Sequence, residues 1–271
     1  MTRNTVVVAM LFVAACGGDA EPATTLPAGT MTVAGGATGT VVAVLDGDSL
    51  RIDLGLEIED IRLLGINAPE EGECWTDRSR AALESLVEGV VTVSGEERDQ
   101  FGRRLAYLQA GATGVNAALV RGGHAIATSG HTRAVEFVAA EDDAYEAGNG
   151  LWAPAACGPA PSAAPAIRDV VFDAPGPDDI DPNGEYVVLG NDGEPADLTG
   201  WRIRDESSTH RFTFPEGFSL GRGETVVIRS GCGGDTPGEL HWCADGPVWS
   251  NGGDMALLLD PAGNVVARLR Y

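Results

Sequence analysis

The chain has 271 residues, room for two domains of ordinary size. Its formal charge of −22 is shared almost evenly, about −11 over 30–157 and about −10 over 167–271, and all eighteen basic side chains are arginine. An acid excess of this size argues against holding nucleic acid by bulk attraction. It suits a surface adapted to salt, where charges are screened within ~10 Å or less.

The predicted elements begin with an export signal. Arg3 precedes the apolar run VVVAMLFVAA, which is too short to span a bilayer and reads as the core of a signal peptide. Its ending, VAAC, resembles a bacterial lipobox and makes Cys16 a lipidation site, anchoring the protein to a membrane. An ordinary secretory signal is the other reading, and under either the mature protein is exported. Residues 1–16 are thus the signal, and 17–36, small, polar and rich in Pro and Gly, are a flexible tether. In an oxidising compartment the other four cysteines favour disulfides, and their positions pair Cys74 with Cys157 and Cys232 with Cys243. A zinc site is poorly supported, because no CxxC pair accompanies them.

Between 37 and 157 the pattern is mixed. TGTVVAVLDG, DSLRIDL, EIEDIRLLGI, GVVTVSGEE and RRLAYLQA have the β-branched content and turn punctuation of strands. Three helices follow from periodicity. TDRSRAALESLVEG is capped by Thr76, with Leu83, Leu86 and Val87 on one face and a stop at Gly89. VNAALVRGG is short, and TRAVEFVAAEDDAYEAG puts Val135, Val138, Ala139 and Tyr145 on one stripe and its acids on the other. Five strands with helices inserted late outline an α+β fold, an OB-fold β-barrel with three helices. The Ala/Pro-rich stretch APAACGPAPSAAPA at 153–166 separates the halves and supplies a linker at 158–166. From 167 to 271 short strand-like segments recur between NDG, PEG, GRG and PAGN turns, which argues for an all-β immunoglobulin-like sandwich.

The chemistry-bearing residues lie at strand ends of the first half. LDGDSL offers Asp46 and Asp48, IRLLGINAPE offers Arg62, Asn67 and Glu70, and RDQFGRRLAYL offers Asp99, Arg103 and Arg104. Hydrolysing a phosphodiester needs a nucleophilic water, a base for its proton, and positive charge at the phosphorane oxygens. Two guanidiniums supply bidentate phosphate contacts, and a calcium ion on carboxylate and carbonyl oxygens supplies the rest. Singly, each piece has a plain structural reading: DGDS as a hairpin turn, Arg62 as a surface strand residue, Glu70, Glu71 and Glu73 as a solvated loop.

In order and together, VLDGDSL, IRLLGINAPE, DQFGRRLAYL, VNAALVRGGHA and AGNGLW make residues 37–153 resemble the staphylococcal nuclease (thermonuclease) family. The resemblance implies an OB-fold barrel that cleaves DNA and RNA with calcium. Water attacks phosphorus and the 5′-oxygen departs, leaving 3′-phosphates. It makes Asp48 the principal calcium carboxylate, places Asn67 at a second metal aspartate, and gives Ala68 a backbone-carbonyl ligand. Glu70 becomes the general base, and Arg62 and Arg103 the phosphate-binding arginines, with Arg103 also steadying the leaving oxygen.

Three positions depart from the family's pattern. Asn67 removes a negative charge and implies lower calcium affinity, and Phe101 offers no phenol. Ser129 and His131 stand where the family can carry base-stacking tyrosines. Phe101 and His131 are therefore the candidate substrate contacts, an exposed loop or helix-cap histidine being the other reading of His131. Glu71 and Glu73 read as bystanders.

Residues 167–271 resemble a lamin-tail domain, most specifically through LTGWRIRD and GRGETVVI, which implies a binding or positioning module whose ligand is unspecified. The expectation is an exported, lipid-anchored, calcium-dependent nuclease with DNA and RNA as substrates. Its rival is a non-catalytic surface-anchored binding or scaffold protein with a degenerate barrel. The joint presence of Arg62, Glu70 and Arg103 favours the enzyme, because a binding relic has no use for a base.

Overall fold

The computed structural model describes residues 36–177, 180–207 and 209–271. The expected signal, Cys16 and the tether through residue 35 lie outside them.

The first half runs β1 (Ala37–Val44), β2 (Ser49–Asp53), β3 (Ile58–Leu63), β4 (Ile66–Asn67), α1 (Thr76–Leu86), β5 (Val90–Ser94), β6 (Arg104–Ala110), β7 (Thr113–Gly114), α2 (Val115–Arg121), β8 (Ile126–Ala127) and α3 (Ala134–Glu146). The long strands order as β3-β2-β1-β5-β6, and a parallel pairing of β3 with β6 closes them into a five-stranded barrel. Alternation drives this: Leu50, Ile52, Ile61, Leu63, Val91, Val93, Ala106 and Leu108 point inward at every second position, and Leu83, Leu119 and Phe137 of the helices pack on them. Asn116 of α2 secures the closure. Its Oδ1 accepts from the Leu108 amide (3.0 Å), and its Nδ2 donates to the carbonyls of Leu64 (2.9 Å) and Ala106 (3.2 Å).

The second half runs β9 (Ala166–Val171), β10 (Tyr186–Asn191), β11 (Ala196–Asp197), β12 (Arg202–Arg204), β13 (Arg211–Thr213), β14 (Ser219–Leu220), β15 (Glu224–Arg229), β16 (Glu239–His241), β17 (Met255–Leu259) and β18 (Val265–Arg270). Two four-stranded sheets, β16-β15-β10-β9 and β13-β12-β17-β18, enclose a core containing Trp201, Ile203, Phe214, Val226, Ile228, Trp249 and Leu258. This is the sandwich expected from the turn spacing.

Two details of the helices differ from the sequence expectation. Thr76 does not cap α1: the N-cap is Trp75, in a left-handed conformation (φ 75°), and the Thr76 hydroxyl donates back to the carbonyls of Glu70 and Glu73. On α3 the buried face is Phe137, Ala140, Glu141 and Ala144, while Val135 is 88% exposed. The acidic Glu141 lies inside because the second half supplies its partners.

The described residues form one compact unit. Ile126, Ala144, Leu151 and Trp152 of the first half share a hydrophobic cluster with Met255 and Leu257 of the second. Around it, Glu141 pairs with Arg268 (3.2 Å) and Arg270 (2.9 Å). Both disulfides are formed, Cys74–Cys157 and Cys232–Cys243.

Candidate active site

Barrel closure gathers the polar strand ends. Ser49 of β2 stands opposite Arg62 of β3, and Arg103 immediately precedes β6, the strand that closes against β3. The β1–β2 turn is shaped by Asp46, whose Oδ1 accepts from the Asp48 amide at 2.9 Å. A Cβ on Gly47 would lie 2.6 Å from the β-carbons of both Ala68 and Ser79, so only glycine lets this turn sit against the loop after β4. Gly65, at φ +80°, reverses the chain between β3 and β4 and delivers Asn67 and Ala68 beside Asp48.

The result is a continuous hydrogen-bonded chain. Arg103 Nη1 donates to Ser49 Oγ (3.3 Å), and Ser49 Oγ donates to Asp48 Oδ1 (3.1 Å). Asp48 Oδ2 accepts from the Ala68 amide (2.7 Å) and pairs with Arg62 Nη1 (2.6 Å). Arg62 Nη1 also donates to the Ile66 carbonyl (3.1 Å), and its Nη2 donates to Asn67 Oδ1 (2.8 Å). Asn67 Nδ2 then leaves the barrel altogether and donates to the carbonyl of Glu206, in the sandwich (3.1 Å). Burial pushes the Asp48 carboxyl up to about 7, with Arg62 opposing that rise and Asp46 adding to it.

Arg103 is oriented from the other side by Asp99, whose Oδ2 accepts from Nε at 2.7 Å. The Phe101 ring, 74% exposed, lies 5.5 Å from the Arg103 guanidinium and forms an apolar platform beside it. Glu70 is exposed on the loop between β4 and α1, and its amide donates to Glu73 Oε2 (2.8 Å).

Glu73 is not a bystander. Its Oε1 pairs with Arg211 Nη1 at 2.8 Å and its Oε2 lies 3.8 Å from Arg204 Nη1, both arginines belonging to the sandwich. His131 also sits differently from a stacking platform. Its Nδ1 bonds the Tyr107 hydroxyl (2.9 Å), its ring lies 5.1 Å from that of Phe137, and a Cβ on Gly65 would strike it at 2.4 Å. Burial lowers its basicity, and the ring serves as packing under the β3–β4 turn.

The structure thus brings Asp48, Arg62, Asn67, Ala68 and Arg103 into one connected set, with Glu70 on the adjoining loop and His131 outside it. The sandwich residues at its edge, Glu206, Arg204 and Arg211, left no local signal, because the residues they meet there, Asn67 and Glu73, lie more than a hundred positions away.

The donor set is all oxygen: Asp48, the adjacent Asp46, Asn67 and the Ala68 carbonyl. Among the described residues no three His, Cys, Asp or Glu side chains gather as a metal-binding group. Asp48 is buried, and burial is the main cause of its rise to about 7; a cation at its oxygens would oppose that rise, as Arg62 already does at 2.6 Å. These residues fit a hard divalent cation held by few charged ligands and completed by water.

Two family models match the chain, one in each half. The family described as staphylococcal nuclease homologue matches residues 60–154, and the lamin tail domain matches residues 159–271. A protein described as an uncharacterized endonuclease, from Escherichia coli O157:H7, is 34% identical over 119 residues, covering 43% of this chain and 78% of that one. Protein ParB of Escherichia coli is 32% identical over 126 residues (42% and 71%). A micrococcal nuclease of Shigella flexneri is 31% identical over 126 residues (42% and 72%).

Proposed function

From the premise that the chain belongs to the staphylococcal nuclease family, with a lamin tail domain following its nuclease domain, we propose that it is an exported, calcium-dependent nuclease hydrolysing phosphodiester bonds of DNA and RNA. The observation that carries this reading is the bonded chain Arg103–Ser49–Asp48–Arg62 across the closure of the barrel, with Glu70 on the next loop. Two guanidiniums at one rim are spaced by a serine and a carboxylate, an arrangement a phosphate can bridge and a plain structural strand end does not need.

In this reading Arg62 and Arg103 bind the equatorial phosphoryl oxygens and take up the charge that grows on them. Glu70 accepts a proton from the water that attacks phosphorus. Arg103, backed by Asp99, steadies the departing 5′-oxygen, and Phe101 supplies a face for an adjacent base. Asp48, Asn67 and the Ala68 carbonyl would hold the calcium ion, which supplies further positive charge at the phosphorus centre. An acidic protein needs such a cation, since its field of −22 otherwise repels the substrate. Export rests on the N-terminal sequence and fits the two disulfides, and the lipid anchor on Cys16 remains part of the proposal.

The test is digestion of single-stranded DNA and of RNA by the purified protein, with calcium and with EDTA, followed by end-group analysis. Calcium-dependent release of 3′-phosphate ends is the expected result. Absence of cleavage across calcium and salt titrations overturns the reading.

A further inference from the structure

Residues of the paired strands β12 and β13, with Glu206 just after β12, grip the segment Asn67–Glu73 at both of its ends. At the first, the Glu206 carbonyl accepts from Asn67 Nδ2 (3.1 Å). At the second, Arg211 holds Glu73 at 2.8 Å, and the Arg204 guanidinium lies 3.8 Å from it as a further counter-charge. Glu70 lies between, and its amide is bonded to the carboxylate that Arg211 holds (2.8 Å).

The grip is built into the sandwich. Glu206 donates its amide to Asp254 Oδ1 (3.1 Å), and its carboxylate is held by Arg270 Nη1 (2.8 Å) and by Ser129 of the barrel. Arg204 is buried, and its Nε and Nη1 have no hydrogen-bond partner among the described residues. A guanidinium left this poorly solvated is costly, and its counter-charges are Glu73, Asp205 and Glu70.

We infer that the lamin tail domain is a working part of the nuclease site: Arg211 and Arg204, acting through Glu73, are positioning residues that fix the loop carrying Glu70. The inference rests on the nuclease reading above and gives the second domain a function other than binding a separate ligand. The barrel supplies the reacting groups, and the sandwich sets the reach and direction of the base. A base displaced by 1 Å can cost about 100-fold in rate, so the grip should appear in kcat and not in substrate affinity.

The full chain tests this as Arg211→Ala, Glu73→Gln, their double variant and Arg211→Lys, with Arg222→Ala as control, since Arg222 pairs with Glu194 at a solvent-exposed site. Cleavage of single-stranded DNA is followed at saturating calcium, below each variant's melting point. Arg211→Ala and Glu73→Gln are expected to lower kcat about 10- to 100-fold while changing KM less than about threefold. The double variant should lose no more than the worse single one, because both act through the same contact. Arg211→Lys should recover most of the rate, and the control should match wild type.

If wild type is active and the two single variants keep kcat within about twofold, the inference is overturned. Multiplicative losses in the double variant, or losses confined to KM, overturn it as well. An inactive wild type overturns the nuclease reading, and this inference falls with it.

Discussion

Asn67→Asp separates two demands made on one position. By charge alone the substitution tightens a divalent cation, since a further carboxylate joins Asp48 and Asp46. The fold asks for the opposite. Asn67 is buried and its Nδ2 donates to the Glu206 carbonyl at 3.1 Å. A carboxylate there turns an oxygen toward an oxygen, and a buried acceptor loses its donor at a cost of about 1–3 kcal/mol. Arg62, already bonded to Oδ1 at 2.8 Å, answers the new charge but cannot replace the lost donor. At roughly 2–4 °C per kcal/mol for a unit of this size, the metal-free variant should melt roughly 2–12 °C below wild type. Calcium should recover part of that loss and act at lower concentration. Thermal melts in EDTA and across a calcium titration read both effects. A variant melting at or above wild type in EDTA would refute the argument that the docked sandwich requires an amide where the family's pattern has aspartate. An unchanged calcium requirement would remove position 67 from the ligand set.

Further outcomes follow from the interface and from Asp48. Glu141 is fully buried, accepts from the Ala127 amide (2.9 Å) and faces Arg268 and Arg270, so Glu141→Gln breaks a buried ion pair worth about 3–5 kcal/mol. Its melting point should fall by roughly 10 °C, and a fall under about 2 °C would show the pair to be dispensable. The folded pKa of Asp48 is raised from 3.8 to about 7, so its stabilising contribution is complete below the unfolded value and lost as pH rises through 7. Metal-free wild type should therefore lose melting temperature relative to Asp48→Asn between pH 5 and 8. In the same window calcium affinity should rise about tenfold per pH unit and flatten above pH 7, and a pH-independent difference would show that Asp48 does not titrate there. The Cys74–Cys157 disulfide spans 83 residues and is worth about 4.5 kcal/mol by loop entropy. Removing both of these cysteines should lower kcat as well as melting temperature, whereas removing Cys232 and Cys243 should leave kcat unchanged.

The barrel was legible because its evidence is local. Alternation at Leu50/Ile52 and Val91/Val93 marks strands, and the turn glycines punctuate them. The motif residues Asp48, Arg62 and Arg103 were legible as types, and their convergence follows from the closure of β3 on β6. What the sequence hid was everything that depends on the two halves meeting. Glu141 looked like part of a solvated helix face because its arginines lie 127 and 129 residues away. Glu73 looked like loop charge for the same reason, and Val135 took the stripe that belongs to Phe137. The packing of His131 against Gly65, Tyr107 and Phe137 left no local signal, because no local rule says that Gly65 leaves room for its ring.

Glu70 is the residue whose assigned role can be tested most directly. With calcium and single-stranded DNA saturating, the kcat of Glu70→Gln is compared with that of wild type, both confirmed folded by their melting curves. The base assigned to Glu70 predicts a fall of about 10²- to 10⁴-fold with 3′-phosphate products unchanged. An active wild type matched by an equally active Glu70→Gln would contradict it.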